Sequence, residues 1–430
     1  MKRTEGIAAA GGFSVAARLN RLPVTPFHRR LVLICAIGLF FDIFDLYMSG
    51  YIGARLLKTG FFTHGELYLF FSAAFAGMFF GAIAMGYTGD VLGRRAMFVL
   101  GLIGYSVLMI LAAFSPSAGW LIAARFVAGL GLGAEYIISD TYLGEMLPRR
   151  SRARYISLTY AGATIGSPVV AFLATWLVPH QFGAIDGWRV LMVLGGIGAF
   201  AGWWMRIAMV ESPRWLEAKG RHAEAARILD AIEAEVAKES GRALPAPQEE
   251  VAVVVSERVP LGELFAGAYR GRLALMVAFQ FLQTFGYFGF LIWAPTILVK
   301  EGFALVHALL YVALTMILGP IGALVGALFV ERWERKWAIS VLALGIAIFG
   351  LAFAFSRSPM LIVINGGLVT LLSNWFSAVF HPYQMEIFPT RLRATAGGFA
   401  YAWSRFSVAV SAPLIGFILE GTGVVGVFAV

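Results

Sequence analysis

Glu145-x-x-Pro148-x-x-x-Arg152 returns later in the chain as Glu386-x-x-Pro389-x-x-x-Arg393, and each position moves by the same 241 residues (386 − 145, 389 − 148, 393 − 152). The same shift carries Asp90, heading Asp90-Val91-Leu92-Gly93-Arg94-Arg95, onto Glu331, heading Glu331-Arg332-Trp333-Glu334-Arg335-Lys336. Two charged loops that recur in register make the chain a duplicated unit. Whatever it folds into must be two copies of one arrangement.

The sequence between those loops says which arrangement. Charged residues are 14% of the chain and hydrophobic residues 59%, whereas a soluble domain carries about a quarter charged residues. A hydrocarbon core of about 30 Å takes about 20 residues of helix to cross. Runs of that length lie at 31–54, 66–88, 96–114, 119–141, 154–178 and 189–209, then at 272–298, 306–330, 337–355, 359–382 and 394–419. After Glu420-Gly421-Thr422-Gly423, the stretch Val424 to Val430 would reach only about 10 Å as helix. Because the first unit supplies six spans, the duplication predicts a sixth in the second, and the twelfth helix is expected to be truncated. The expected fold is an all-α membrane protein of two pseudo-symmetric six-helix bundles. Its parts are a tail at 1–30, a first bundle at 31–210, a loop with amphipathic helices at 211–271, and a second bundle at 272–430.

Lysine and arginine accumulate in cytoplasmic loops, and about 26 of the 34 fall on the side of the N-terminal tail, the repeated loops and the long 210–272 loop. The N-terminus is therefore expected in the cytoplasm, with the chain multi-pass in a cytoplasmic (inner) membrane. That distribution accounts for the net charge of +9 without a nucleic-acid partner. The single cysteine, Cys35, excludes an intramolecular disulfide. There is no Gly-x-x-x-x-Gly-Lys-Ser/Thr loop, no His-Glu-x-x-His and no paired-cysteine spacing. ATP-driven transport and membrane metalloenzyme chemistry lose support, and neither a metal nor a cofactor is expected.

Gly86-x-x-x-Asp90-x-x-Gly93-Arg94-Arg95, joining the second and third spans, resembles the signature loop of the major facilitator superfamily, with Val91 in place of the usual basic residue. The resemblance narrows to sugar-porter-like members through Arg125 followed by Gly129, Gly131 and Gly133, through Glu145-x-x-Pro148-x-x-x-Arg152, and through Glu211-Ser212-Pro213-Arg214-Trp215-Leu216. Trp293-Ala294-Pro295-Thr296 and Glu386-Ile387-Phe388-Pro389-Thr390 extend it over the second half. It implies alternating access, with Asp90, Glu145, Glu331 and Glu386 in a cytoplasmic charge network with Arg94, Arg95, Arg152, Arg335 and Arg393. That network would lock the outward-open state; the plainer reading is solvated loop charges worth little each.

Ionisable residues also lie deep in spans, where each costs at least about 2.5 kcal/mol on insertion scales. Asp42 and Asp45 share a face of the first span, and Arg125 in the fourth lies at matching depth, about 21 Å above the inner surface by helix rise. A carboxylate balanced between burial and an arginine is titratable in the range a proton-coupled carrier needs. Asp45 is therefore the expected proton carrier and Arg125 the partner it releases; a static buried pair is the alternative. Asp42-Ile43-Phe44-Asp45 also looks like the Asp-Gly-aromatic-Asp element of aromatic-acid/proton symporters, with isoleucine replacing glycine.

Arg405 enters the eleventh span to about 16 Å, near mid-depth, where its counter-charge is either Asp42 or an anionic substrate. An arginine fork fits a carboxylate bidentately. Organic-anion carriers of the superfamily similarly place a basic residue in that span. Sugar-porter elements are eroded: Leu282-Gln283-x-x-Gly286-x-Phe288 keeps one glutamine and loses the asparagine, and the tenth-span tryptophan is His381. Gln283, Tyr287, Trp375, His381 and Tyr401 are candidate cavity residues. The sequence thus reads as a monomeric, proton-driven symporter of a small organic anion, an aromatic or other monocarboxylate. Its partners are the substrate, protons and the lipid bilayer. A sugar or polyol symporter and a non-transporting nutrient sensor are the rival readings.

Overall fold

The computed structural model describes residues 14–92, 94–133, 135–207, 209–247, 265, 267–329, 333–388 and 390–429. It is helical, apart from a two-residue hairpin. The helices are α1 (Val15–Asn20), α2 (Pro26–Lys58), α3 (His64–Leu92), α4 (Arg94–Ala113), α5 (Ala118–Leu132), α6 (Glu135–Met146), α7 (Arg149–Ala163) and α8 (Gly166–Leu177). After the hairpin of β1 (Gln181–Phe182) and β2 (Ile185–Asp186) come α9 (Gly187–Ile207), α10 (Pro213–Ala218) and α11 (His222–Ser240). The second half holds α12 (Gly267–Lys300), α13 (Leu305–Met316), α14 (Leu318–Phe329), α15 (Arg335–Phe355), α16 (Pro359–Glu386), α17 (Thr390–Gly421) and the short α18 (Gly423–Ala429). Among the described residues, nine helices are long and apolar enough to cross a membrane, and Val99–Ala113 and Ala118–Leu132 are shorter apolar helices.

Some spans are broken where the sequence requires it. Pro168 has no N–H for the carbonyl of Thr164 and crowds it, so the fifth span divides into α7 and α8 there. The freed carbonyl is taken by the Ser167 hydroxyl at 2.9 Å. Pro320 acts likewise on Met316, the last residue of α13.

The duplication reappears as packing. A Cβ on Gly81 of α3 would lie 2.1 Å from the Leu130 carbonyl oxygen of α5, and a Cβ on Gly322 of α14 would lie 2.2 Å from that of Leu371 on α16. Both residues of this contact are shifted by 241 (322 − 81, 371 − 130). Backbones meet this closely only where a side chain is missing.

The bundle has a near end, carrying α1 and the starts of α2 and α15, and a far end, carrying the hairpin, Lys58 and Lys300. Toward the far end the two halves share one hydrophobic core, from Leu39 to Ala199 in the first half and from Phe285 to Val424 in the second. Toward the near end the described cores are separate. One joins α1, α2, α6, α10 and α11; the other joins α12, α15 and α16. Among the described residues, the halves meet in one core toward the far end, and each near-end core belongs to a single half.

The N-terminal segment is built into the first half. Val15, Leu19 and Leu22 are buried with Tyr142, Met146, Leu229, Ile232 and Val236. Above this core Arg18 pairs with Asp230 at 2.5 Å and Glu233 at 2.8 Å, Arg21 with Glu233 at 2.8 Å, and Arg30 with Glu239 at 2.7 Å. Burial acts to raise the Glu233 carboxyl, but hydrogen bonds and charge from Arg18 and Arg21 overcome it, and Glu233 titrates below the usual range. The Asn20 side chain accepts from the Arg149 N–H at 3.2 Å and from Arg214 at 3.1 Å, tying the tail to the start of α7 and to α10.

Candidate functional site

Ser117 caps α5 by accepting from the Trp120 N–H, and two turns on, Arg125 is directed into the first half. One guanidinium nitrogen donates to Asp45 of α2, and the other to the Ser49 hydroxyl at 2.6 Å. The Met109 sulfur lies 3.5 Å away and the guanidinium sits 5.6 Å from the Phe70 ring centre. Asp45 and Arg125 are 0% and 1% exposed, so the pair is sealed from solvent in this conformation. Removing one member of such a pair strands the other, at about 3–5 kcal/mol. Asp42, one turn nearer the near end, is also fully buried. Tyr105 of α4 is close enough for its hydroxyl to feel the charges of Asp45, Arg125 and Asp42.

A second polar group lies in the other half. The Tyr287 hydroxyl of α12 is 2.8 Å from the Tyr47 hydroxyl of α2, a hydrogen bond across the two halves. Tyr287 also bonds the side chain of Asn374, whose amide donates to the Thr370 carbonyl at 2.9 Å. Thr370, Asn374, Ser377 and His381 recur every three or four residues, on one face of α16. His381 is exposed on that face, holds the Ser377 backbone by a hydrogen bond and lies within electrostatic reach of Arg405. Arg405 itself is 5% exposed. Gln283, one turn from Tyr287, is half-buried.

Among the sequence-derived candidates, the structure thus joins Asp45 to Arg125 and brings His381 near Arg405. Trp375 is elsewhere, in the seam of α14 and α16, with its ring 5.9 Å from those of Phe329 and Trp333. Of the charged gate, Arg152 donates to the Leu147 carbonyl of its own half at 3.3 Å, and Glu145 and Arg335 are half-buried. Gly86, Asp90, Gly93, Arg94, Arg95, Glu331, Glu386, Arg393 and Tyr401 lie outside the residues whose side chains are described. Asp140 is exposed on α6 and accepts from the Tyr160 hydroxyl at 2.9 Å. Ser49, Tyr47, Tyr105 and Asn374 were not singled out by sequence reasoning. Ser49 had a signal, lying four residues after Asp45 and so on its face.

A buried ion pair in one half, and beside it a hydrogen bond between the halves, thus sit among helices of membrane-spanning length. Solved structures with this fold include the xylose transporter XylE from E. coli in a partially occluded inward-open conformation (TM-score 0.75, 18% identity, 94% of this chain and 95% of that one). Among curated proteins, the niacin transporter NiaP of Acinetobacter baylyi is 28% identical over 93% of this chain and 89% of its own length. The gallate transporter of Pseudomonas putida is also 28% identical, over 93% and 87%. Transport, not enzymatic catalysis, is the common activity in these names. The family model described as sugar (and other) transporter matches residues 31–430, and the protein belongs to that family, a transporter of the major facilitator superfamily.

Proposed function

We propose that the protein is a proton-coupled symporter of a small organic anion, an aromatic or other monocarboxylate, working by alternating access. The observation that carries this reading is the sealed Asp45–Arg125 pair. A buried carboxylate held by an arginine can be released by one proton, and its release loosens α2 from α5. The relatives that carry niacin and gallate support an aromatic acid, whose carboxylate Arg405 and His381 would receive. The lysine and arginine distribution supports the near end as the cytoplasmic face, in an inner membrane. In the near-end-open conformation the network of Glu145, Glu386 and the loop arginines would be parted; it would close when the far end opens. The carrier works as a monomer on the proton gradient, without a metal, cofactor or nucleic acid.

The test is uptake by purified protein in proteoliposomes with an imposed pH gradient, comparing benzoate-type acids with sugars. Acids accumulate, and Asp45→Asn abolishes accumulation. Accumulation of sugars but not acids, or undiminished gradient-driven uptake by Asp45→Asn, overturns the proposal.

A further inference from the structure

Tyr105 is 1% exposed on α4, and its hydroxyl is buried without a hydrogen-bond partner. Beside it, Asp45 gives one carboxylate oxygen to Arg125, while the second, Oδ2, is buried and also lacks a partner. A stranded donor and a stranded acceptor side by side are rare in protein interiors, where nearly all buried polar atoms are bonded. The residue also borders an apolar crevice of about 270 Å³, lined with it by Gly101, Gly104, Leu130 and Gly131. A Cβ on Gly104 would meet nothing within 4 Å. The ring therefore borders open space, and its hydroxyl lies within reach of the Asp45 carboxylate.

We propose that Tyr105 is a positioning residue of the proton site, its hydroxyl donating to Oδ2 of charged Asp45 and accepting from that oxygen once Asp45 is protonated. This rests on the reading of Asp45 as the proton carrier. The proton comes from solvent and resides on Asp45, and Tyr105 stays neutral throughout; only the direction of the hydrogen bond reverses. The other ionisable groups near this depth are Arg125 on α5 and, on α2, Asp42, Tyr47 and Tyr51. Glu135 and Asp140 on α6 and Tyr160 on α7 lie toward the near end, and Tyr287 on α12 toward the far end. No hydrogen bond joins any of them except Arg125 to the Asp45 side chain among the described residues.

Removing the donor weakens the hold on the charged carboxylate. In Tyr105→Phe, the pH at which uptake is half-maximal should therefore rise, by about one to two units for a hydrogen bond to a charged group. Substrate KM at acidic pH should not change. Should the variant transport poorly, an infrared pH titration of the protonated-carboxyl band that Asp45→Asn removes gives the same midpoint from folded protein. An unmoved midpoint in both measurements overturns the role of Tyr105. If the wild-type protein shows no pH-dependent uptake and no such band, it is the proton-carrier reading that fails.

Discussion

The two halves share a backbone plan and differ where the chemistry is. Shifting by 241 takes Asp45 to Gly286 and Arg125 to Gly366 (45 + 241, 125 + 241), so the second half has no counterpart of the buried ion pair. Conversely, Arg405 corresponds to Thr164 and His381 to Asp140 (164 + 241, 140 + 241). His381 and Asp140 are both exposed, at equivalent places on α16 and α6. The first half thus holds a sealed acid and the second presents basic groups. What the duplication conserves is the close approach of helices, as at Gly81 with Leu130 and Gly322 with Leu371. In the proposed mechanism, rocking uses like bundles, and coupling a proton to an anion uses unlike ones.

That contrast can be tested from its largest consequence down. Arg125→Ala should lower stability by about 3–5 kcal/mol, because it leaves Asp45 buried and uncompensated, whereas Gly366→Ala at the equivalent position should cost far less. Thermal unfolding of both variants, read with and without acidification, measures the difference. Next, Arg405→Gln should weaken binding of a carboxylate substrate about 10- to 100-fold, as expected for a lost charge-assisted hydrogen bond, with the shift read by calorimetry. His381→Asp, which makes the halves alike, should move affinity in the same direction. Gly81→Ala and Gly322→Ala should destabilise about equally, by about 1–3 kcal/mol each, since either methyl would strike a carbonyl oxygen; unequal losses would break the symmetry argument.

The smallest effect concerns the tail, which only the first half holds. Glu233 has a docked value below its ordinary 4.5. The docking it provides is therefore complete above that ordinary value and lost as pH falls through the lower docked value. Hydrogen exchange in α1 should accelerate on that descent, and Glu233→Gln should remove the pH dependence.

Much of this was legible in the sequence. Charged loops and apolar run lengths fixed the duplication and the spans, because insertion in lipid allows few alternatives to helix. Asp45 and Arg125 were legible as a pair because charge at that depth demands a partner. Tyr105 and Asn374 were not. A tyrosine in an apolar helix carries no sign of whether its hydroxyl meets lipid or a carboxylate, and the answer depends on helix rotation, which α4 settles by packing on α5 and α9. Trp375 shows the opposite limit: an aromatic beside polar cavity residues one position away on α16 is turned by about 100° into a seam.

Gly50 of α2 faces the backbone of α12 in the other half. A Cβ there would lie 2.4 Å from the Ile292 carbonyl oxygen across the two halves, so closure at the far end depends on a hydrogen atom standing where other residues have carbon. Any larger side chain becomes a wedge, holding that mouth ajar while leaving cargo contacts and the acid intact. Position 50 is thus a handle for trapping the opposite conformation of the carrier.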